Sequence, residues 1–416
     1  MDRATHSLSI AEIPRSVQLI DMPQDPQVVG SGMTDFSTSN AKTGTAAVVA
    51  EVGHRRTFID GMRTCLLTDA LVERAPDRRS SWSYGSLSGP ERVPSKIISL
   101  RPKIRDFIRA LFRWTWADLR DAGDLWLLIS RYPKLARGIP GFPCFGLFII
   151  PRWFWCAYSF TVIKISAKPA EEFANHFDSL YVVCFYTTRS LALVRAFRTA
   201  GKPVCDVQHG LVGPSHPAYF NKRFWGRQSR FQPTEFLVWN TTSQLFLTNS
   251  TGCPAFVRDF DDSRYVSPVV SRTKRIRPHI LVTLQWSSEL PVELITFVLS
   301  ATWVNWVLRL HPRDPVPPSR RLDCIALSRA EHVQIELPSA PLILSLRTCD
   351  LHITESSSVV IEASAAKIRS LFWDTSTTGL FLDEIGTGLA ECIPIEKLSK
   401  RILELLRDDY DGSDSW

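Results

Sequence analysis

From residue 179 onward the sequence alternates short apolar runs with amphipathic segments, and this alternation restricts the fold more than any other feature. Residues 179–186 (SLYVVCFY) predict a buried strand, residues 188–199 a helix that Gly201 ends, and residues 203–207 the next strand. A right-handed crossover makes the two strands of such a βαβ unit parallel. The pattern therefore predicts an α/β chain with doubly wound parallel sheets.

The alternation falls into two blocks separated by an irregular connection. The first block ends with a strand at 236–239 and a helix at 242–247. The second predicts strands at 280–284, 303–310, 333–337, 351–354 and 370–373, and helices at 289–300, 340–347, 357–366 and 395–406. We expect two Rossmann-like domains facing across a cleft, residues 46–265 and 266–416, after a weakly structured, flexible N-terminal tail over residues 1–45.

Charge and cysteine usage narrow the class of protein. The net charge of +7 favours anionic partners such as nucleotides, phosphates or a membrane face, without choosing among them. The nine cysteines include no CxxC pair, so we expect no disulfide framework and no zinc site, and a reducing, cytoplasmic location without a secretion signal. No G-x-G-x-x-G, P-loop or strand-end acidic pair occurs, which argues against NAD enzymes, P-loop kinases and Mg²⁺ or Mn²⁺ dependence.

Two segments of the first half suggest contact with a membrane. Residues 101–120 combine apolar positions at helical spacing with six arginines and lysines, and residues 138–165 are the most apolar part of the chain. Prolines interrupt the second segment, so we expect a core or interfacial segment and no transmembrane helix. The basic helix fits either peripheral docking on an anionic membrane or a domain helix with a solvated face. No nucleic-acid partner is expected.

The stretch at residues 202–219, KPVCDVQHGLVGPSHPAY, predicts a strand that delivers polar groups to a loop. Asp206 lies in the strand, and His209 follows it. Open α/β sheets bind their ligands beyond the carboxyl ends of parallel strands, so His209 is the first candidate for chemistry. His216, His332 and His352 are interpreted as structural or solvent-facing, and His279 as lying at a strand start, away from the active edge.

Three motifs of the second half also fall at predicted strand ends. VLRLHPRD supplies Arg309, His311 and Arg313, which could hold an anion. LHITESSSVVIEA places Ser356, Ser357 and Ser358 before a helix, where they would meet a phosphate or simply cap the helix. Glu336 ends a strand, as a ribose ligand or as a solvated carboxylate. Their shared placement at one sheet edge favours a nucleotide site.

These motifs, taken in order, resemble a known group of enzymes. Their order looks like that in the GT-B glycosyltransferases of bacterial surface and capsular polysaccharide synthesis. The motifs are QHG, then HP and Tyr, then FLVWN, ILVTLQ, RLHPRD, SSSVVIEA and SLFWD. The HP and Ser-run motifs are similar to those of sialyltransferases, polysialyltransferases and Kdo transferases, which use CMP-sugars. The resemblance covers about residues 175–395.

The resemblance implies a role for each motif. His311, Ser356 and Ser357 would hold the donor phosphate, Glu336 the ribose, and Arg309 would lie near the base. No cofactor is implied, because the nucleotide-sugar is the substrate and cationic groups replace a metal at the leaving phosphate. A glycan or glycolipid would be the acceptor.

The acidic D/E-D/E-G motif that carries the base in sialyltransferases is absent, so His209 is the candidate base and Asp206 the second choice. Three alternatives stay open: a teichoic-acid-type polyol-phosphate transferase with a CDP-linked donor, a non-catalytic nucleotide-binding protein, and a sugar-nucleotide epimerase. The last would need further acidic residues in the cleft.

Overall fold

The computed structural model describes residues 45–50, 57–59, 62–64, 69–83, 95–97, 116–129, 152–214, 216–258, 276–285, 288–311, 316, 318–337 and 342–410. They all belong to one compact unit, residues 44–416. The expected N-terminal tail up to residue 44, the basic residues 101–115, the apolar residues 138–151 and Arg313 lie outside the described residues.

The first sheet is a parallel sheet of seven described strands. Their order is β5-β4-β1-β6-β7-β8-β9, with bounds β1 (Ala46–Ala50), β4 (Arg79–Ser83), β5 (Ser95–Ile97), β6 (Ser179–Val183), β7 (Val204–Val207), β8 (Glu235–Val238) and β9 (Ala255–Val257). A short antiparallel pair is formed by β2 (Thr57–Ile59) and β3 (Met62–Thr64). All five residues of β1 are buried, as expected of a central strand covered on both faces.

Seven described helices accompany this sheet: α1 (Asp69–Glu73), α2 (Trp116–Ile129), α3 (Arg152–Ile165), α4 (Ala167–Asn175), α5 (Thr188–Thr199), α6 (Lys222–Trp225) and α7 (Thr241–Thr251). Three aspartates at three-residue spacing line the buried face of α2. Each pairs with a cation of another element: Asp118 with Lys164 at 2.7 Å, Asp121 with Arg195 at 2.7 Å, and Asp124 with Arg227 at 3.2 Å. The inward carboxylates of α2 thus tie α3, α5 and the loop after α6 together.

The second sheet has six described strands, all parallel, in the order β12-β11-β10-β13-β14-β15. They are β10 (His279–Thr283), β11 (Asn305–Arg309), β12 (Val333–Glu336), β13 (Leu351–Thr354), β14 (Arg369–Phe372) and β15 (Ala390–Cys392). The described helices of this domain are α8 (Val292–Ser300), α9 (Leu322–Leu327), α10 (Leu342–Thr348), α11 (Val359–Ala365), α12 (Leu382–Gly386) and α13 (Ile395–Tyr410). Trp306 lies fully buried between this sheet and its helices.

Two sheets of parallel strands with helices confirm the predicted fold class. The helix predicted at 188–199 and the strand predicted at 351–354 have the predicted bounds, and most other predicted elements shift by one to four residues. No strand was predicted within residues 46–95, yet β1 and β4 lie inside the first sheet. None of the helices in the described ranges is both long and apolar enough to cross a membrane.

The carboxyl ends of the two sheets meet along a contact that we call the seam. Trp239, directly after β8, and Leu211, after β7, pack with residues that follow β13 and β14, including Val360 and Phe381. Two polar contacts accompany this cluster: Asn240 Nδ2 donates to Glu384 Oε1 at 3.0 Å, and the Thr242 amide donates to Asp383 Oδ2 at 2.8 Å. The seam therefore brings the carboxyl edges of both sheets together.

Gly213 gives a test of how tightly the seam is packed. A Cβ atom at Gly213 would overlap Leu380 Cδ2, whereas a Cβ atom at Gly210 would meet nothing within 4 Å. We expect Gly213→Ala to lower the free energy of unfolding by about 1–2 kcal/mol relative to Gly210→Ala, because Leu380 must leave its packed position. Urea unfolding of both variants measures the difference in stability between them. When Leu380→Ala is added to each glycine variant, this difference should disappear. Equal stability of the two glycine variants would contradict a closely packed seam.

Candidate functional site

The turn after β6 places the first aromatic residue of the site. Cys184 adopts a left-handed backbone conformation with φ 66°, which is uncommon for a residue with a side chain and redirects the chain at the strand end. Thr187 then caps α5, its hydroxyl accepting a hydrogen bond from the Ser190 amide. Tyr186 lies between these two fixed points, so the position of its Cα atom is set by the local backbone.

Asp206 fastens this turn to the loop after β7. Its Oδ1 accepts from the Phe185 amide at 2.9 Å and its Oδ2 from the Tyr219 hydroxyl at 2.8 Å. Burial raises the pKa of Asp206 to about 7, although the hydrogen bonds from Tyr219, Phe185 and Cys184 oppose this. The side chain is 1% exposed and both of its oxygens accept hydrogen bonds, so Asp206 holds the two loops together, and its second-choice assignment as the base stays a prediction.

Gln208 links the loop after β7 to the loop after β8. Its Oε1 accepts from the Trp239 amide at 2.8 Å, and its Nε2 donates to the Gly210 carbonyl at 2.9 Å and to Ser243 Oγ at 3.2 Å. Because the side chain is buried and its amide is satisfied on both sides, it fixes the backbone on each side of His209.

His209 and His216 share one tyrosine hydroxyl. Tyr186 Oη lies 2.9 Å from His209 Nε2 and 3.1 Å from His216 Nε2. The His216 ring packs against the Tyr219 ring at an angle of 38°, with centroids 4.5 Å apart. His216, interpreted from the sequence as structural or solvent-facing, therefore lies beside His209 through a shared contact with Tyr186, which is compatible with a structural role. Burial lowers the pKa of His216 to about 4, so its ring is neutral near pH 7.

In the second domain the predicted motifs lie side by side on neighbouring strands. Thr283 of β10 pairs in register with Arg309 of β11 and with Thr354 of β13, and Arg309 pairs with Glu336 of β12. Four strand ends thus form one row at the carboxyl edge. His311 follows two residues after Arg309 and is partly exposed.

Arg309 and Glu336 contact each other. An Nη of Arg309 donates to Glu336 Oε1, and the Ser345 hydroxyl, 2.7 Å from both Glu336 oxygens, donates its one proton to that carboxylate. Burial lowers the pKa of Arg309, while Glu336 opposes that shift. The ion pair neutralises both charges, so neither is offered as an isolated charge, and the ribose and base roles stay predictions.

The serine run lies next to the loop after β10. Ser356 is buried and its hydroxyl accepts from Gln285 Nε2 at 2.5 Å. Ser357 Oγ accepts from the Val359 amide at 3.3 Å, and Ser358 is the N-cap residue of α11 without a side-chain cap bond. The helix therefore begins two residues later than predicted. Ser357 provides a side-chain hydrogen bond at its N-terminus, whereas the Ser358 hydroxyl makes no cap bond.

The other histidines occupy the places expected for structural residues. His352 is buried between the hydroxyls of Thr283 and Ser370, 2.9 Å from each, and burial lowers its pKa to about 3. His332 contacts the Val298 carbonyl, and His279 starts β10, away from the active edge. In the part of the chain that the structure describes, no group of three or more His, Cys, Asp or Glu side chains could hold a metal ion.

Sequence reasoning missed the residues whose contacts span the chain. Tyr186 was read only as the last residue of a strand, and it meets His216 thirty residues later. Asn240 and Glu384 were not singled out, and they meet across 144 residues. Burial raises the pKa of Glu384, whose Oε2 atom is buried without a hydrogen-bond partner. Among these residues, only His216 was marked by a local sequence motif, the HP dipeptide.

Solved structures provide a comparison for the whole architecture. The UDP-GlcNAc 2-epimerase of Neisseria meningitidis, bound to UDP-GlcNAc, matches with a TM-score of 0.52 and 13% identity over 88% of this chain and 92% of that one. A Listeria monocytogenes protein named as a candidate UDP-N-acetylglucosamine 2-epimerase gives 0.52 and 14% over 88% of each chain. The glycosyltransferase SnogD of Streptomyces nogalater gives 0.46 and 14% over 88% and 91%. The chain has the GT-B fold.

The GT-B fold accounts for the position of the site without fixing its chemistry. No protein-family model matches the sequence, and no curated protein matches it. At identities of 13–14% the structural likeness concerns the fold alone. Function has to be argued from the groups at the two sheet edges.

The raised pKa of Asp206 predicts a measurable pH dependence of stability. The folded-state pKa of about 7 exceeds the ordinary aspartate value of 3.8, so the folded protein binds the proton more tightly. This contribution is fully present below about pH 4 and is lost as pH rises to about 7, by at most about 4 kcal/mol. We expect Asp206→Asn, measured by urea unfolding at pH 5 and pH 8, to lose less stability over this interval than the unmodified protein.

Asp121→Asn serves as the control, since that aspartate is buried in an ion pair with Arg195. Identical pH slopes for the unmodified protein and Asp206→Asn would show that Asp206 is ionised throughout this range.

Proposed function

We propose that the chain is a glycosyltransferase that moves a sugar from a nucleotide-activated donor to a glycan or glycolipid acceptor. The observation that carries this proposal is the row of Arg309, Glu336, Thr354 and the following Ser356 on neighbouring strands of the second sheet, joined through the seam to the His209 edge of the first sheet. A phosphate and ribose at the first edge and a hydroxyl acceptor at the second would meet where the two edges touch.

For the donor we favour a CMP-sugar, because the HP and Ser-run motifs resemble those of enzymes that use CMP-sugars. His311, Ser356 and Ser357 would contact the phosphate, Glu336 the ribose, and Arg309 would lie near the base, while Arg313 would add positive charge nearby. Stabilisation of the leaving phosphate by these side chains would make a metal unnecessary, so we expect activity to persist in EDTA.

For the acceptor we propose His209 as the base. The acceptor hydroxyl would give its proton to Nδ1 of His209 while its oxygen bonds to the anomeric carbon of the sugar. The bond from that carbon to the phosphate oxygen would break, and its electron pair would leave with the nucleotide. Nδ1 of His209 is shielded from solvent in this structure, so the seam would have to open to admit the acceptor.

One observation favours a second function, the epimerisation of a nucleotide-sugar. That activity needs acidic groups in the cleft, and Glu384 supplies one at the seam, with a raised pKa and a bond to Asn240. An epimerase working by proton exchange at a C–H bond would incorporate deuterium into the sugar in D₂O, whereas transfer would leave the sugar protons in place. A polyol-phosphate transferase would release the same CMP but leave a phosphate in the product, which mass spectrometry detects.

The proposal predicts that binding and transfer depend on different histidines. Among nucleoside mono- and diphosphates, CMP should give the largest thermal shift, and His311→Ala should weaken CMP binding at least tenfold by calorimetry, because a phosphate contact is lost. His209→Ala should bind CMP normally and reduce release of CMP from a CMP-sugar in the presence of acceptor by about 100-fold or more, as expected for loss of a general base.

His332→Ala is the control. Nε2 of His332 contacts the Val298 carbonyl, and this histidine lies away from both sheet edges. A clear preference for UDP or GDP would reject the CMP-sugar donor but not the transferase. Normal transfer by His209→Ala would reject the proposed base. Normal nucleotide binding and no transfer by the unmodified protein, with any acceptor, would favour the non-catalytic alternative.

A surface of the first domain supports peripheral membrane contact. We call it the basic-aromatic surface: exposed Leu119, Arg120 and Trp126 on α2, Phe220 before α6, and Lys222 and Arg223 on α6. The two helices are joined by Asn221, which donates to the Leu127 carbonyl. The three aspartates of α2 are buried in ion pairs, so the exposed face of that helix carries positive charge. Such a surface suits anionic lipid headgroups.

This surface predicts salt-sensitive binding to anionic vesicles. We expect Lys222→Glu with Arg223→Glu to reduce co-sedimentation with vesicles of phosphatidylglycerol and phosphatidylcholine by at least fivefold, and rising salt to do the same, since both weaken attraction to the headgroups. Lys168→Glu with Lys400→Glu changes the net charge equally at exposed positions elsewhere and should bind normally. Equal losses in both double variants would assign the effect to net charge and reject this surface.

A further inference from the structure

Two consecutive carboxyl groups of the second domain meet the start of α7 in the first domain. Asp383 Oδ2 accepts from the Thr242 amide at 2.8 Å, and Glu384 Oε1 accepts from Asn240 Nδ2 at 3.0 Å. The orientation of the Asn240 amide is settled by its own oxygen, which accepts from the Ser243 amide at 2.9 Å as the N-cap of α7. Both contacts join the two domains, so they exist only while the seam is closed.

The Glu384 carboxyl group is buried with only one of its two oxygens hydrogen-bonded. Glu384 is 4% exposed, and its Oε2 atom is buried without a hydrogen-bond partner among the described residues. An ionised carboxyl group here would hold a negative charge that neither water nor a donor compensates at Oε2, which costs more than burying the neutral group. The closed seam therefore favours the protonated form of Glu384, and exposure to water on opening favours the ionised form.

The elements around Glu384 supply no positive charge to offset its ionisation. The helix α12 packs against α7, α11 and β15, and neither these four elements nor the turn Thr375–Leu380 contains a lysine, arginine or histidine. The other titratable groups on these elements are Asp383 on α12, Glu362 on α11, and Glu391 and Cys392 on β15. Burial raises the pKa of Glu384 and the charge of Asp383 raises it further, while the bond from Asn240 and one with its own backbone oppose the shift.

The segment before Glu384 covers the loop that carries His209. Leu211, two residues after His209, packs in the seam. Gly213 lies so near Leu380 that a Cβ atom there would overlap Leu380 Cδ2. Because Leu380 lies only four residues before Glu384, movement of α12 away from α7 would also uncover this loop.

We propose that Glu384 acts as a proton-operated latch: the seam closes with uptake of one proton by its carboxyl group and opens when that proton is released to water. Control over entry of the acceptor to His209 rests on the proposed function, whereas the latch itself does not. The pKa of Glu384 in the closed form lies above the ordinary value of 4.5. Its contribution to the closed form is therefore fully present below that ordinary value and is lost as pH rises through the raised pKa.

Hydrogen exchange of the full-length protein without substrate tests the latch. Amide protection factors, corrected for the intrinsic pH dependence of exchange, are compared at pH 5.5 and pH 8.5 for the Thr242 amide and for residues 209–213. We expect protection in the unmodified protein to fall by about tenfold or more, because the seam opens more often once Glu384 ionises. Glu384→Gln keeps the shape and the bond from Asn240 without a titratable proton, so its protection should be nearly the same at both pH values.

Two further variants show whether the carboxyl pair is responsible. Asp383→Asn can still accept from the Thr242 amide but removes the neighbouring charge, so the midpoint of the loss should move to lower pH. Glu331→Gln makes the same change of charge at an exposed position before β12 and should behave as the unmodified protein. No loss of protection in the unmodified protein, or an equal loss in Glu384→Gln, overturns the latch. An effect of Asp206, which titrates in the same range, would give that equal loss.

Transfer assays separate the latch from the proposed function. The acceptor KM of the unmodified protein should fall by about threefold or more from pH 5.5 to pH 8.5 as the seam opens, and that of Glu384→Gln should stay constant. If protection changes as expected and the unmodified protein transfers no sugar, the proposed function fails and the latch stands. If the protein transfers sugar and both acceptor KM values respond alike to pH, control of acceptor entry fails alone.

Discussion

The buried carboxyl group of Asp206 is the contact on which the first half of the site depends. It accepts from the Phe185 amide and from the Tyr219 hydroxyl, and so joins the turn after β6 to the loop after β7. Tyr186 and His216 are close neighbours in sequence of these two donors, which brings their side chains together. Removing a carboxyl group from water is costly, and here hydrogen bonds and a raised pKa reduce that cost.

The two sheet edges use different chemistry. The first edge is built from neutral groups, the shared hydroxyl of Tyr186 and the amide of Gln208, so its geometry depends on directed hydrogen bonds. At the second edge Arg309 and Glu336 are held as a buried ion pair, whose opposite charges offset the cost of leaving water. The first edge therefore offers directed hydrogen bonds between neutral groups, and the second edge offers paired charges.

Much of the fold could be predicted from the sequence, because buried parallel strands are continuous apolar runs and the helices between them have their own periodicity. The strand β4, with the sequence RSSWS, lacks that signal because serines occupy its buried positions. The strand ends at His209, Arg309 and Glu336 could be predicted for the same reason that the strands could. The link from Tyr186 to His216 could not, since periodicity carries no information about which side chains meet through tertiary packing.

The seam connects binding to domain movement. The residues that close it, among them Leu211, Trp239 and Glu384, follow the same strand ends that carry the candidate site. A ligand that enters between the edges must therefore compete with seam contacts or add to them. Burial raises the pKa of Glu384, so its contribution to the closed form is greatest at low pH and falls as its proton is lost. The contact between Glu384 and Asn240 is therefore one that a change in the protonation of a single carboxyl group would weaken or strengthen.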